Sequence, residues 1–134
     1  MALRQVEQTK RNLNIQTLTA TGTEINNVAD VSTRVQELTA SGAVTAGVQS
    51  IELNHASVII AATVADATAM QGFVIVKDTS ASGTAAHTCT LTGGTWDGTN
   101  TIVTLNAPNE AILVYIDSAG DGTIIENVGT VALS

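Results

Sequence analysis

Aromatic side chains are almost missing from this chain of 134 residues, where Phe73, Trp96 and Tyr115 are the only three. Deep ligand pockets and base-stacking platforms lean on aromatic walls, so this scarcity argues against both. Cys89 is the only cysteine, which excludes an intrachain disulfide and any zinc site built on several thiolates. Lys and Arg together number five against twelve Asp and Glu, for a net charge of −7. Four of the five (Arg4, Lys10, Arg11 and Arg34) fall in the first quarter, and Lys77 stands alone beyond it. Nucleic-acid backbones are held by clustered basic residues, so the main body is not expected to bind nucleic acid. No apolar run approaches the roughly 20 residues that cross a bilayer, and no membrane partner is expected. The opening MALRQVEQTKRNLNI lacks the hydrophobic core of a signal peptide. The expectation is a chain made and kept in a cytoplasm unless released by a route such as lysis.

What remains is a β-forming sequence of Val, Ile, Leu, Ala and Thr. From Ala43 onward apolar residues recur in short runs with turn residues between them. The spacing predicts strands at Val44–Leu53, Val58–Thr63, Gln71–Lys77, Ala86–Thr92, Thr101–Asn106, Glu110–Asp117, Thr123–Glu126 and Thr130–Leu133. Ala65–Met70 reads as a loop or a single helical turn. In His87–Thr92 the residues His87, Cys89 and Leu91 share one face and three threonines share the other, the mark of a half-buried strand. Gly93–Asn100 reverses the chain, with Trp96 either covering the hairpin end or exposed as a contact residue. Ala111–Ile116 (AILVYI) is apolar without alternation, so it needs cover on both sides, from a second sheet and from another copy of the chain. Ile112, Val114 and Ile116 are its candidate subunit interface. The fold class read from this pattern is all-β, a single β-sandwich or jelly-roll-like barrel. Small side chains bury little apolar area each, and self-association, with Val58-Ile59-Ile60 also contributing, would add stability.

Residues 1–42 differ from residues 43–134. The first twenty are polar and rich in Gln, Asn and Thr, with apolar positions at Leu13, Ile15 and Leu18, and they read as an extended arm. Thr21 and Glu24 have the spacing of a capping box, in which each side chain accepts from the other's backbone N–H. Ile25 and Val28 then share one face of a short helix, too short to be stable without docking on something. Thr33–Leu38 reads as a short strand and Thr39–Gly42 as a linker. The chain is thus a weakly basic arm with one short helix, followed by an acidic β body.

Candidate chemistry is sparse. His55 and His87 are the only histidines, and no G-x-S-x-G elbow accompanies them. A Ser–His–Asp set is recognised by geometry, which the sequence alone does not supply. Cys89 reads as a buried small hydrophobe. Asp117–Gly122 (DSAGDG) has alanine where a calcium loop needs an oxygen ligand, and strand patterns flank it, so a hairpin turn is the reading. Gly93-Gly94 leads into no helix and is no phosphate loop. The carboxylates are dispersed. No catalytic residue, metal or cofactor is expected.

Two segments carry a resemblance. Leu18–Asp30 (LTATGTEINNVAD) resembles the LTATAAELNxLD element of tailed-phage head-decoration and tail-fibre chains, with Gly22 and Thr23 in place of two alanines and Val28-Ala29-Asp30 in place of the Leu-Asp ending. HTCTLTGGTWDGTNTIVTLNAPNEAILVYI is similar to the C-terminal β-domain of small phage capsid decoration (cement) proteins and head fibres, where a Thr-rich hairpin leads into an N-x-x-x-E-x-ϕ-x-ϕ strand (ϕ apolar). The resemblance implies a non-enzymatic virion protein, made in the host cytoplasm and bound to the capsid exterior, commonly as a homotrimer. Its partner would be the major capsid protein. The arm would supply the contact through Arg4, Lys10, Arg11, Leu13, Ile15, Ile25, Val28 and Arg34, with Thr21 and Glu24 capping the helix. The other implied role is a fibre or spike module that binds a host receptor.

Overall fold

The computed structural model describes residues 34–134, and the β body begins at Arg34 rather than at Ala43. Ten strands follow: β1 (Val35–Leu38), β2 (Gly42–Val44), β3 (Ser50–Leu53), β4 (Ala61–Val64), β5 (Gly72–Asp78), β6 (His87–Leu91), β7 (Ile102–Leu105), β8 (Ala111–Ile116), β9 (Gly122–Val128) and β10 (Ala132–Leu133). The all-β expectation holds. Residues 39–41, read as a linker, form the turn between β1 and β2.

Two five-stranded sheets share one core. Sheet A has the order β1-β3-β5-β8-β9, and sheet B has β10-β7-β6-β4-β2. The first six strands alternate between the sheets, so β1, β3 and β5 run parallel in one and β2, β4 and β6 run parallel in the other. Parallel neighbours need a long crossover, usually a helix. Here each crossover is a strand of the opposite sheet, which gives three successive coils. The last four strands pair antiparallel with their neighbours. This is a sandwich of mixed sheets, not the all-antiparallel pairing of a jelly roll.

The alternation of sheets also explains where strand boundaries depart from the sequence pattern. The expected Val44–Leu53 strand is split because the chain must cross from sheet B to sheet A, turning where the Val48 N–H donates to the Thr45 carbonyl (3.3 Å). The expected Val58–Thr63 strand starts later, at Ala61, because His55 Nδ1 accepts from the N–H groups of Ser57 (3.2 Å) and Val58 (2.9 Å) and holds them in a loop. That loop leaves Val58 and Ile59 exposed while Ile60 is buried. Ala67–Met70 is a single 3-10 turn whose N-cap, Asp66, accepts from the Thr68 N–H (2.9 Å) and hydroxyl (2.7 Å).

The core lies between the inner faces: Ile51, Leu53, Val74, Val76, Ile112, Val114 and Ile116 from sheet A, and Ala62, Val64, Cys89, Leu91, Val103 and Leu105 from sheet B. Ile112, Val114 and Ile116 are therefore not a subunit interface; each is fully buried within its own chain. The register explains this, since Ile112 pairs with Val76 and Val114 with Val74, and period two sends all four inward. The helix cap Thr21 and Glu24, and Arg4, Lys10, Arg11, Leu13, Ile15, Ile25 and Val28, lie outside the described residues. Arg34 stands just ahead of β1, where its carbonyl accepts from the Gln49 N–H (2.7 Å).

Candidate interaction surface

The two outer faces of the sandwich differ in chemistry. On sheet B the outward positions are mostly small or polar, with Thr63 on β4, Thr88 and Thr90 on β6, and Thr104 on β7. Threonine suits a pleated face open to water. Sheet A is different. Its register lines up Val35, Ser50, Ile75, Leu113 and Glu126 across the five strands, with Phe73, Tyr115 and Thr123 in the next outward row. Phe73 is 56% exposed, Tyr115 45%, Val35 49% and Ile75 37%, high values for side chains of this size and type. Phe73 and Tyr115 are cross-strand partners in an edge-to-face pair with centroids 5.3 Å apart.

A charged row borders this patch. Glu37, Glu52 and Lys77 align on β1, β3 and β5, and the Lys77 ammonium lies 3.1 Å from a Glu52 carboxylate oxygen. Glu126 closes the β9 side, next to a bulge at Leu113/Val114 that also leaves Ile125 exposed. Two of the chain's three aromatics thus stand on one open sheet face. Sequence reasoning missed Val35, Phe73, Ile75, Leu113 and Tyr115. The available signal was Lys77: a lysine on β5 marks the odd-numbered residues as outward, and the Lys77–Ala111 pairing then sends Leu113 and Tyr115 outward too.

Trp96 goes the other way. It is fully buried, and its indole N–H donates to the Cys89 carbonyl (3.1 Å), so it covers the hairpin end and is no exposed contact. Asp97 shapes the turn beside it, accepting from the N–H groups of Thr99 (3.0 Å) and Asn100 (2.6 Å) and from the Asn100 amide (2.8 Å). These bonds, those from Asn100 foremost, hold its carboxyl below the usual range.

The remaining chemically capable residues have structural occupations. Asp78, Ser80 and His87 come together, all buried, which is the composition of a hydrolytic triad. Their wiring is not that of a triad. His87 Nδ1 accepts from the Ile60 N–H (3.0 Å), which puts the ring proton on Nε2. Nε2 then faces Ser80 Oγ (3.4 Å) and an Asp78 oxygen (3.9 Å), so no lone pair is free to take the Ser80 proton. Ser80 Oγ also accepts from the His55 N–H (3.1 Å), and Asp78 Oδ1 accepts from the Ser80 N–H (2.8 Å). The cluster ties the β3–β4 loop to the β5–β6 loop. His87→Leu is expected to cost about 2–3 kcal/mol, since the buried Ile60 N–H loses its acceptor; a fall in denaturation midpoint at unchanged slope would show it.

Cys89 is buried on the inner face of β6, and burial pushes its thiol up to about 12, which suppresses the reactive thiolate. Asp117 Oδ1 accepts from the N–H groups of Ala119 (2.8 Å) and Asp121 (3.0 Å), the geometry of a hairpin turn. Among the described residues no group of three or more His, Cys, Asp or Glu side chains is placed to hold a metal ion, and no helix is long and apolar enough to cross a membrane. Comparison of the chain with protein-family models, curated proteins and solved structures finds no match in any of the three.

Proposed function

We propose that this chain is a non-enzymatic structural protein of a tailed-phage virion. It binds the assembled capsid through the major capsid protein, stabilises neighbouring capsid subunits, and acts as a homotrimer on the capsid exterior. The observation that carries the reading is the chemistry of the open face of sheet A. A chain with three aromatic residues places two of them, Phe73 and Tyr115, side by side on an exposed sheet. Aromatic anchors of this kind are the usual energetic centre of protein contacts. Meanwhile His87, Ser80, Asp78, Cys89 and Asp117 are occupied in holding loops and core.

The resemblance of Leu18–Asp30 to phage particle chains supports the virion assignment. The charge distribution supports a division of labour, with Arg4, Lys10 and Arg11 ahead of an acidic body. Arm and body then serve different contacts: the arm anchors to the capsid and the body bridges or projects. Counting copies per purified particle by quantitative mass spectrometry tests this. Hundreds of copies are expected for a cement protein. A handful would sink the cement reading in favour of a fibre or spike module.

A further inference from the structure

We propose that the outer face of sheet A is the interface between copies of this chain, centred on Phe73, Ile75, Leu113 and Tyr115. This inference rests on the homotrimer of the proposed function, whose contact it names, and is separate from the virion assignment, which the copy count in particles tests. β5 and β8, side by side in sheet A, are apolar on both faces: Val74, Val76, Ile112 and Val114 inward, and Phe73, Ile75, Leu113 and Tyr115 outward. Strands apolar on both faces belong to sheets covered on both sides. Sheet B covers one side of sheet A, and no described element covers the other.

The size of the face fits a copy of the chain. Five strands at about 4.8 Å spacing and strands of four to seven residues at about 3.3 Å rise give a footprint roughly 20 Å on each side. With side-chain relief, such a face offers on the order of the 800 Å² per partner that a stable interface buries. The apolar surface also runs on to the edge of the sheet, where Ile125 and Val128 of β9 are exposed, 53% and 47%. A long edge strand with exposed aliphatics is an association risk unless it is covered. A mate seated on the face would bury these aliphatic side chains together with the Phe73 and Tyr115 rings.

The charges set the signature. Carboxylates of Glu37, Glu52 and Glu126 rim the face against Lys77 alone, and each copy carries a net charge of −7. Copies therefore repel at long range while their apolar centres attract, so added salt tightens their association. A basic-rimmed foreign partner on the same face would show the opposite trend, weakening as salt rises.

The test uses the full-length chain in light scattering coupled to size exclusion, and sedimentation velocity, across protein concentration and from low to high salt. The expected result is a concentration-dependent oligomer that tightens with salt. The double variant Phe73→Asp, Tyr115→Lys should weaken it by at least tenfold in dissociation constant. Thr63→Asp, on the outer face of sheet B, should leave it unchanged. Because Phe73 and Tyr115 are largely exposed, the variant should fold, and the emission of buried Trp96 reports whether it does. Should the double variant lose that emission, the single Tyr115→Ser, which removes a ring and adds no charge, takes its place. A wild-type chain that stays monomeric at every concentration and salt overturns the proposal. So does an oligomer that folded variants leave intact, or one that loosens with salt.

Discussion

Replacing Glu110 by alanine is expected to lower the stability of the body by on the order of 3–4 kcal/mol, a large part of the margin of a small domain. Glu110 is 4% exposed, and its carboxylate is surrounded by donors. Oε2 accepts from the N–H groups of Asn106 (2.7 Å) and Ala107 (3.2 Å), and Oε1 from the Thr130 N–H (2.8 Å) and hydroxyl (2.6 Å). One side chain therefore closes the β7–β8 turn and fastens the β9–β10 connection to it. Gly129 makes the close pass possible, because an added Cβ there would lie 2.7 Å from Glu110 Cγ. Alanine would leave these N–H groups without acceptors in a site with little access to water. Glu110→Gln keeps the shape but sets an amide N–H₂ against donors, so it should fall between wild type and alanine.

The same network makes a pH prediction. Burial alone would raise the Glu110 carboxyl, but the bonds from Thr130, Asn106 and Ala107 outweigh it and hold the group below its ordinary value. A carboxyl lowered by folding contributes stability that is present above its unfolded pKa of about 4.3 and is lost as pH falls through the folded value. Wild type should thus lose stability in acid more steeply than Glu110→Gln, and the gap between them should narrow below about pH 4. Chemical denaturation at a series of pH values from neutral to acid measures both curves. Parallel curves would refute the linkage.

The second large effect is expected at Trp96. Trp96→Ala should cost about 3–5 kcal/mol, the range for emptying a buried aromatic site. The ring is fully buried at the end of the sandwich and donates to the Cys89 carbonyl, and its backbone N–H donates to the Asn100 carbonyl (2.7 Å). Its main chain lies so close to the start of β9 that a Cβ on Gly122 would come within 2.4 Å of the Trp96 carbonyl oxygen. Trp96→Phe keeps most of the packing and loses the indole donor, so roughly 1–2 kcal/mol is expected. Calorimetry of both variants separates the two contributions, and a Trp96→Ala loss under about 1 kcal/mol would show that the site collapses around the gap.

These sites differ in how far they were legible beforehand. The two-residue period of His87–Leu91 was readable because threonines mark its wet face, and the observed burial follows it. The turn at Asp117–Asp121 was readable from its Asp and Gly residues. The phase of Ala111–Ile116 was not, because both faces are apolar and polarity no longer tells inside from outside. The choice of Ile112, Val114 and Ile116 as an interface failed for that reason. The Asn106-to-Glu110 spacing was visible as a pattern, but its partner at Thr130 lies twenty residues away, beyond both β8 and β9. Likewise Ile60, Ser80 and His87 meet only because β4 and β6 are parallel neighbours that draw their flanking loops together.

By itself the sequence determined the all-β class, most strand positions, the acidic body and the burial of Cys89. These follow from local polarity, side-chain branching and charge, which a linear chain displays directly. Only the tertiary structure decided which sheet each strand joins, that the first six strands pair in parallel, that Trp96 turns inward, and that Phe73 and Tyr115 share an open face. Those outcomes depend on register between residues far apart in the chain, and a shift of one residue would reverse every inward and outward assignment.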